Sequence, residues 1–175
     1  MPLFMDFHKF ASITVNEVLS AHVADLSVQE KYGVKYHQFW VNQKAGTVFC
    51  LTEGPDAKTC EMVHKIAHGN VACAITEVET VNYKLLMGDD HHVDRGMVKN
   101  ENGSIDLGFR TILVASVRDI TSARHSAEQI PQSTIAQAYQ SISKFHGREI
   151  KWGSDDSLIG VFNEATDAVE CASQI

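Results

Sequence analysis

Between residues 3 and 78 the spacing of apolar side chains switches between periods of two and about 3.6, an order few topologies can satisfy. Residues 3–8 (LFMDFH) form a short β-type run. Thr14 followed by Glu17 at the third position beyond it is a capping-box pattern and opens a helix. That helix sets Val15, Val18, Leu19, His22 and Leu26 on one stripe and is predicted to end near Gly33. Residues 34–42 (VKYHQFWVN) alternate, residues 44–46 turn, and residues 47–53 (TVFCLTE) return as the hairpin partner. Gly54-Pro55-Asp56 breaks the chain and caps a second helix over 57–68, which Gly69-Asn70 stops. An apolar run over 71–78 supplies the last strand. The order is β-α-β-β-α-β, and right-handed crossovers then give a four-stranded antiparallel sheet with both helices on one face. The other face is left bare, so packing on a second domain or a homodimer is expected to cover it.

The second half has less regular punctuation. Residues 96–116 are predicted to form a hairpin turning at Asn102-Gly103, with Ile112, Leu113 and Val114 in its second arm. Residues 122–146 are helical in pattern with a break near Pro131, residues 148–152 and 158–162 read as short strands, and residues 165–175 read as a helix. That last helix sets Ala168, Val169, Ala172 and Ile175 on one face. The fold class is α+β. Its divisions are a βαββαβ domain over 1–80, a linker and hairpin over 81–109, and a smaller α+β domain over 110–175.

Charge narrows the partners. The formal net charge is −7 and is spread over both halves, so neither offers the basic surface that a phosphate backbone demands, and no nucleic-acid partner is expected. The N-terminus (MPLFMDFHKF) lacks a basic segment followed by an apolar run, and no stretch has the apolar length of a membrane span. The four cysteines, Cys50, Cys60, Cys73 and Cys171, form no paired motif. A cytoplasmic protein with no membrane partner is expected.

Candidate metal ligands gather in the first domain. Asp6 and His8 alternate along a strand and so share a face. His22 and Asp25 are neighbours on the first helix, and His64 and His68 are one turn apart on the second. Cys50 and Glu53 lie on the third strand and at its end. Imidazole, thiolate and carboxylate together suit nickel, copper or zinc. Each residue also has an ordinary reading: a histidine on an amphipathic helix is commonly half-buried structure, and a strand cysteine is commonly a small apolar residue.

The segments MDFH at 5–8, AHVADL at 21–26, QEKYGVKYHQFW at 29–40, AGTVFCLTEGPDA at 45–57 and VHKIAHG at 63–69 resemble a small bacterial family of nickel-binding, ferredoxin-like, dimeric proteins. The resemblance covers nearly all of residues 1–80 in order. It implies a ferredoxin-like domain with nickel (or zinc or copper) as the bound metal. The ligands it implies are drawn from His8, His22, Asp25, Cys50, Glu53, His64 and His68, with Asp6 and Tyr36 as lesser candidates.

A second resemblance lies further along. RTILVASVRDIT at 110–121 and HGREIKWGSDDSLIGVFNEATDAVECASQI at 146–175 resemble the class III adenylate and guanylate cyclase domain. That domain uses two carboxylates to hold two divalent ions over a nucleoside triphosphate. Here one carboxylate position falls on Ser116 and the other on Asp156, and a hydroxyl cannot bridge two ions as a carboxylate does. Cyclase activity and bound nucleotide are therefore not expected, and a role in packing or regulation is. The group Asp89, Asp90, His91, His92 and Asp94 reads as a solvated linker, with His91 and His92 kept as lesser ligand candidates.

Three functions follow. The first is a metal-binding module, with no catalytic residue assigned. The second is a small enzyme using His8, His22 and His64 as acid–base groups. The third is a regulatory protein whose second half docks a nucleotide or pairs with a functional cyclase. Against the second reading, no pair of histidines is expected to be bridged by an orienting carboxylate, and such a triad in a closed cleft would place the enzyme first.

Overall fold

The Thr14 hydroxyl accepts from the Glu17 amide while the Glu17 carboxylate accepts from the Thr14 N–H at 2.8 Å, so the first helix starts where its capping box predicts. In the computed structural model, which describes residues 1–88, 92–116, 132–150 and 157–175, this helix is α1, Val15–Val28. It continues as a 3₁₀ turn, Gln29–Tyr32, closed by Gly33 at φ +64°. Strands β1 (Leu3–Lys9), β2 (Lys35–Asn42), β3 (Thr47–Glu53) and β4 (Ala74–Val78), with α2 (Ala57–Ala67), complete the βαββαβ order. Asp56 caps α2 by accepting the Thr59 amide at 2.8 Å.

The chain divides into two compact units, Met1–Gly108 and Phe109–Ile175. In the first, the strands run in the order β4-β1-β3-β2, and the sheet continues into β6 (Met97–Lys99) and β5 (His92–Asp94). The expectation of four antiparallel strands is thus corrected to six, with β6 parallel to β2 through Phe39 and Met97. The stretch read as linker carries these strands and α3 (Thr80–Met87), which begins without a side-chain cap and so gave no start signal. The second face of the sheet is not bare either. Trp40, Leu51 and Val98 form a buried cluster there, with Leu3, Met5, Phe49, Tyr83 and Met87 packed against it.

Alternation on β1 turns Phe4, Asp6 and His8 inward, where all three are buried. On β2 a bulge between Tyr36 and Gln38 shifts the phase, so Tyr36 and Phe39 are both buried although strict alternation separates them. Val18, His22 and Asp25 are the buried positions of α1, while Leu26, expected on that stripe, is 41% exposed.

The second unit contains β7 (Thr111–Ser116), α4 (Gln132–Lys144), β8 (Arg148–Ile150), β9 (Ser157–Phe162) and α5 (Ala165–Ala172), with the antiparallel order β7-β9-β8. Its core joins Ile142, Leu158, Phe162, Ala168 and Cys171, with Leu113 and Ala115 against them. The hairpin expected over 96–116 is corrected: Asn102-Gly103 does turn, but Ile112–Val114 pair with β9, because Leu113 and Ala115 supply the apolar face that this core covers. On α5 the inward residues are Ala168 and Cys171, and Val169 is 69% exposed. The described part of the expected 122–146 helix is α4. Among the described residues no helix is long and apolar enough to cross a membrane.

Gly96 couples the added strands to α1. Its carbonyl accepts from the Phe39 amide at 2.7 Å, its φ is +87°, and a Cβ there would stand 2.2 Å from His22 Nε2. Gly96→Ala is expected to lower the unfolding free energy by about 2 kcal/mol. Gly33→Ala, at φ +64° with nothing within 4 Å of the added carbon, is expected to cost only about 1 kcal/mol. Urea denaturation midpoints compare them, and equal losses would refute the contact with His22.

Candidate metal centre

The site is assembled by the sheet and both helices of the first unit. Asp6 and Cys50 are register partners across β1 and β3, and both are buried. Asp6 Oδ1 accepts the Cys50 amide at 3.0 Å, and Asp6 Oδ2 lies 2.8 Å from His64 Nε2. From α1, Asp25 Oδ1 lies 3.1 Å from His64 Nδ1 and 3.2 Å from His68 Nε2. His64 Nδ1 and His68 Nε2 are themselves 3.1 Å apart. Two groups of ligating atoms result, each within 4.8 Å: Asp6, His8, Cys50 and His64, and Asp25, His64 and His68. His64 belongs to both because its two ring nitrogens face different carboxylates.

Burial opposes charge on His64, but the hydrogen bonds to Asp25 and Asp6 overcome it and raise the imidazole to about 9. Burial would likewise raise Asp6, yet its contacts with His64 and His8 bring the carboxyl down to about 2. Asp25 is also lowered, by His64 and His68 against the cost of burial. In its metal-free form the site therefore holds a buried imidazolium between two carboxylates. Burial keeps His22 neutral more readily than usual, with Asp25 opposing, and burial and the neighbouring Asp6 push the Cys50 thiol well up. His68 Nδ1 accepts the Asn70 amide at 3.1 Å, which leaves the proton of the neutral ring on Nε2, facing Asp25.

Beside these groups is a cavity of about 310 Å³ lined by His8, His22, Asp25, Cys50, His64 and His68 together with apolar residues from β1–β3, α1 and the β1–α1 connection. The exposed residues Ser12, Glu17 and Asn70 also line it.

Of the residues expected from sequence, His8, Asp25, Cys50, His64 and His68 are brought together, and Asp6 is central to them. His22 lines the same cavity but adds no atom to either close group; its ring lies 5.1 Å from that of Phe39. Glu53 is not brought in. It is three residues from Cys50 on a strand, hence on the opposite face, and it bonds His37 and the N-terminal ammonium, each at 3.2 Å. Tyr36 is a support: its hydroxyl donates to the Cys60 carbonyl at 3.0 Å, and its ring stands edge-on to His64 with centroids 4.9 Å apart. His92 is exposed on β5, and His91 and Asp156 lie outside the described residues. Asn70 was missed as a contributor, although its place just after the helix stop marks it as able to reach the last turn of α2.

The expectation that no histidine pair shares an orienting carboxylate is overturned, since Asp25 reaches both His64 and His68. The side chains i and i+4 on α2 stack above the one buried acid of α1, an encounter that sequence spacing does not reveal.

The donor set fits a transition-metal ion. Asp25 Oδ1, His64 Nδ1 and His68 Nε2 form a near-equilateral triangle with edges of 3.1, 3.1 and 3.2 Å. Donors held at about 2.1 Å from one ion are separated by roughly 3.0–3.4 Å at right-angled or tetrahedral edges. His8 Nδ1 is buried without a hydrogen-bond partner, and His8 belongs to the other group, with Asp6, Cys50 and His64.

The family profile described as nickel responsive protein SCO4226-like matches residues 4–78. The crystal structure of SCO4226 from Streptomyces coelicolor A3(2) is 40% identical over 43% of this chain and 94% of that chain, with a TM-score of 0.42. A bacterial light-regulated adenylyl cyclase is 10% identical over 98% of this chain and 63% of its own, with a TM-score of 0.31. The small subunit of acetolactate synthase from Thermotoga maritima is 13% identical over 99% and 85%, with a TM-score of 0.27. These last two likenesses are too slight to carry an argument. No curated protein matches the chain.

The charge state of His64 makes metal-free stability depend on pH. Its folded value of about 9 exceeds the unfolded 6.5, so the contribution is complete below 6.5 and is lost as pH rises through 9. Asp6 is depressed, so its contribution is present above 3.8 and is lost as pH falls through about 2. Denaturation of metal-free protein should show a loss on the order of 2 kcal/mol between neutrality and pH 9, absent in His64→Gln. An identical alkaline loss in that variant would rule out His64 as its source.

Proposed function

The chain belongs to the SCO4226-like family, described as nickel-responsive, and from that premise we propose that its first unit binds nickel at Asp25, His64 and His68. The triangle of donor atoms is the observation that supports this reading most directly. Asp6, 2.8 Å from His64 Nε2, is suited to orient that ligand from behind, as carboxylates commonly do for metal-bound imidazoles. His8 and Cys50 sit on the Asp6 side of His64 and are read as support, together with His22. Nitrogen and oxygen donors accept copper and zinc as well, so the choice of nickel rests on the family description. A bound ion would supply a Lewis-acidic centre beside the cavity.

The enzyme reading gains from the carboxylate-bridged histidine pair. His22, kept neutral by burial beside the same cavity, suits a base in that reading, and metal binding is placed first on the converging triangle of donor atoms. For the second unit we assign packing or regulation: Ser116, exposed and paired with Ser157, has no carboxylate to offer a divalent ion. Four free thiols support a cytoplasmic location. A homodimer belongs to the same proposal because Leu3, Met5 and Phe49 on the second face of the sheet remain only half-buried. Sedimentation equilibrium should return twice the 19.4 kDa chain mass, and a monomer at micromolar concentration would exclude it.

For His64 Nδ1 and His68 Nε2 to hold an ion, His64 would lose its Nδ1 proton and the His68 proton would sit on Nδ1, facing the Asn70 amide and ending that hydrogen bond. Affinity should rise about tenfold per pH unit up to pH about 9, with about one ion retained per chain after dialysis. His64→Ala should abolish retention and Cys50→Ser should preserve it. The Asn70 amide should exchange with solvent faster on loading. Nickel retained in full by His64→Ala would defeat the assignment.

A further inference from the structure

His64 turns its second ring nitrogen away from the proposed nickel triangle, toward a group that contains sulfur. Single ligating atoms of Asp6, His8, Cys50 and His64 all lie within 4.8 Å of one another, and all four residues are buried. On this side Asp6 Oδ2 stands 2.8 Å from His64 Nε2, while Asp6 Oδ1 is 3.6 Å from His8 Nε2, beyond hydrogen-bond reach. His8 is only 4% exposed, and its Nδ1 is buried with no hydrogen-bond partner. An imidazole buried without its usual ties requires an explanation, and a bound ion supplies one. The ordinary account of a buried cysteine, a small apolar residue, holds for Cys60 and Cys171. Both pack in apolar clusters and join no group of ligating atoms among the described residues. Cys50 also borders an apolar cluster, yet its sulfur meets one carboxylate and two imidazoles within 4.8 Å.

Donor chemistry selects the ion. The Asp25–His64–His68 triangle offers only nitrogen and oxygen, whereas this group offers sulfur, two imidazoles and a carboxylate. Four such donors suit a tetrahedral, thiophilic ion of the zinc type. Around that ion, donors at about 2.0–2.3 Å are separated by roughly 3.3–3.7 Å, so the group needs to draw in by about 1 Å at its widest. His8, Cys50 and His64 line the cavity, and the fully buried Asp6 lies beyond it, so an ion reaches them from the exposed rim at Ser12 and Asn70. We propose that Asp6, His8, Cys50 and His64 form a second metal site, for an ion of the zinc type, which shares only His64 with the nickel site. As the ion binds, the Cys50 thiol proton leaves to solvent. A neutral imidazole has one ring nitrogen free to ligate, so His64 serves one of the two ions at a time. The sulfur site needs neither Asp25 nor His68 and stands whether or not nickel binds to them.

The test is optical titration of the metal-free full chain with cobalt(II), a spectroscopic substitute for zinc, in a Cys73→Ser background that removes the exposed thiol. Sulfur bound to cobalt gives a near-ultraviolet charge-transfer band, and a tetrahedral ion gives intense visible bands. Both are expected, and added zinc should bleach them. His68→Ala, which takes one donor from the nickel site, should leave both bands, saturating at about one ion per chain. Cys50→Ser should remove the near-ultraviolet band, and Cys60→Ser, at a buried thiol outside the group, should not. His8→Gln should weaken cobalt by more than about tenfold, the loss typical of even an outer-shell partner. Absence of the sulfur band from the parent chain, or its survival in Cys50→Ser, would overturn this site and leave the nickel reading standing. Loss of the band in His68→Ala would overturn its independence from the nickel triangle. A chain that shows the sulfur band but retains no nickel would support this site and defeat the nickel reading alone.

Discussion

The imidazole of His64, held between Asp6 and Asp25, is the interaction on which the first unit turns. It links the centre of β1 to α1 and α2 at one buried point, with contacts of 2.8 and 3.1 Å. Two carboxylates in an apolar interior need a positive partner, and in the metal-free protein that partner is the imidazolium itself. Exchange of that proton for a divalent ion would bring the two carboxylates from one unit of excess negative charge to balance. The same geometry can serve as a structural salt bridge and as a site held ready for a cation.

The scaffold explains why the donors hold their spacing without an ion. Asp6 is fixed by the Cys50 amide across the sheet, and Tyr36 closes against the His64 ring while its hydroxyl is tied to α2. His22 is pinned between Phe39 and Gly96, the point at which the added strands meet α1. Apart from Gly96, in the turn between β5 and β6, these supports lie on strands and helices. A further exception is Asn70, whose amide holds His68 from just beyond the end of α2 and marks the side of the site most able to respond to an ion.

The two halves differ in how their chemistry can be read. In the first unit, polar side chains converge inside an otherwise apolar layer, where an unpaired group would be costly, so their arrangement carries information about function. In the second unit the described core is apolar.

What the sequence determined was local. The capping box at Thr14, the Asp56 cap and the strand alternation specified the βαββαβ order, and the two-residue step from Asp6 to His8 put both side chains on one face. The one-turn step from His64 to His68 likewise kept them together on α2. What only the tertiary structure decided was which groups meet. A one-residue bulge brought Tyr36 inward, the odd spacing from Cys50 sent Glu53 to the other face, and packing of α1 across the sheet placed Asp25 under both histidines of α2. Strands β5 and β6 were hidden because strands this short have too few residues to show a period, and only pairing with β2 stabilises them. Local pattern sets the direction of a side chain; the distance between segments far apart in the chain is set by packing, which no single stretch encodes.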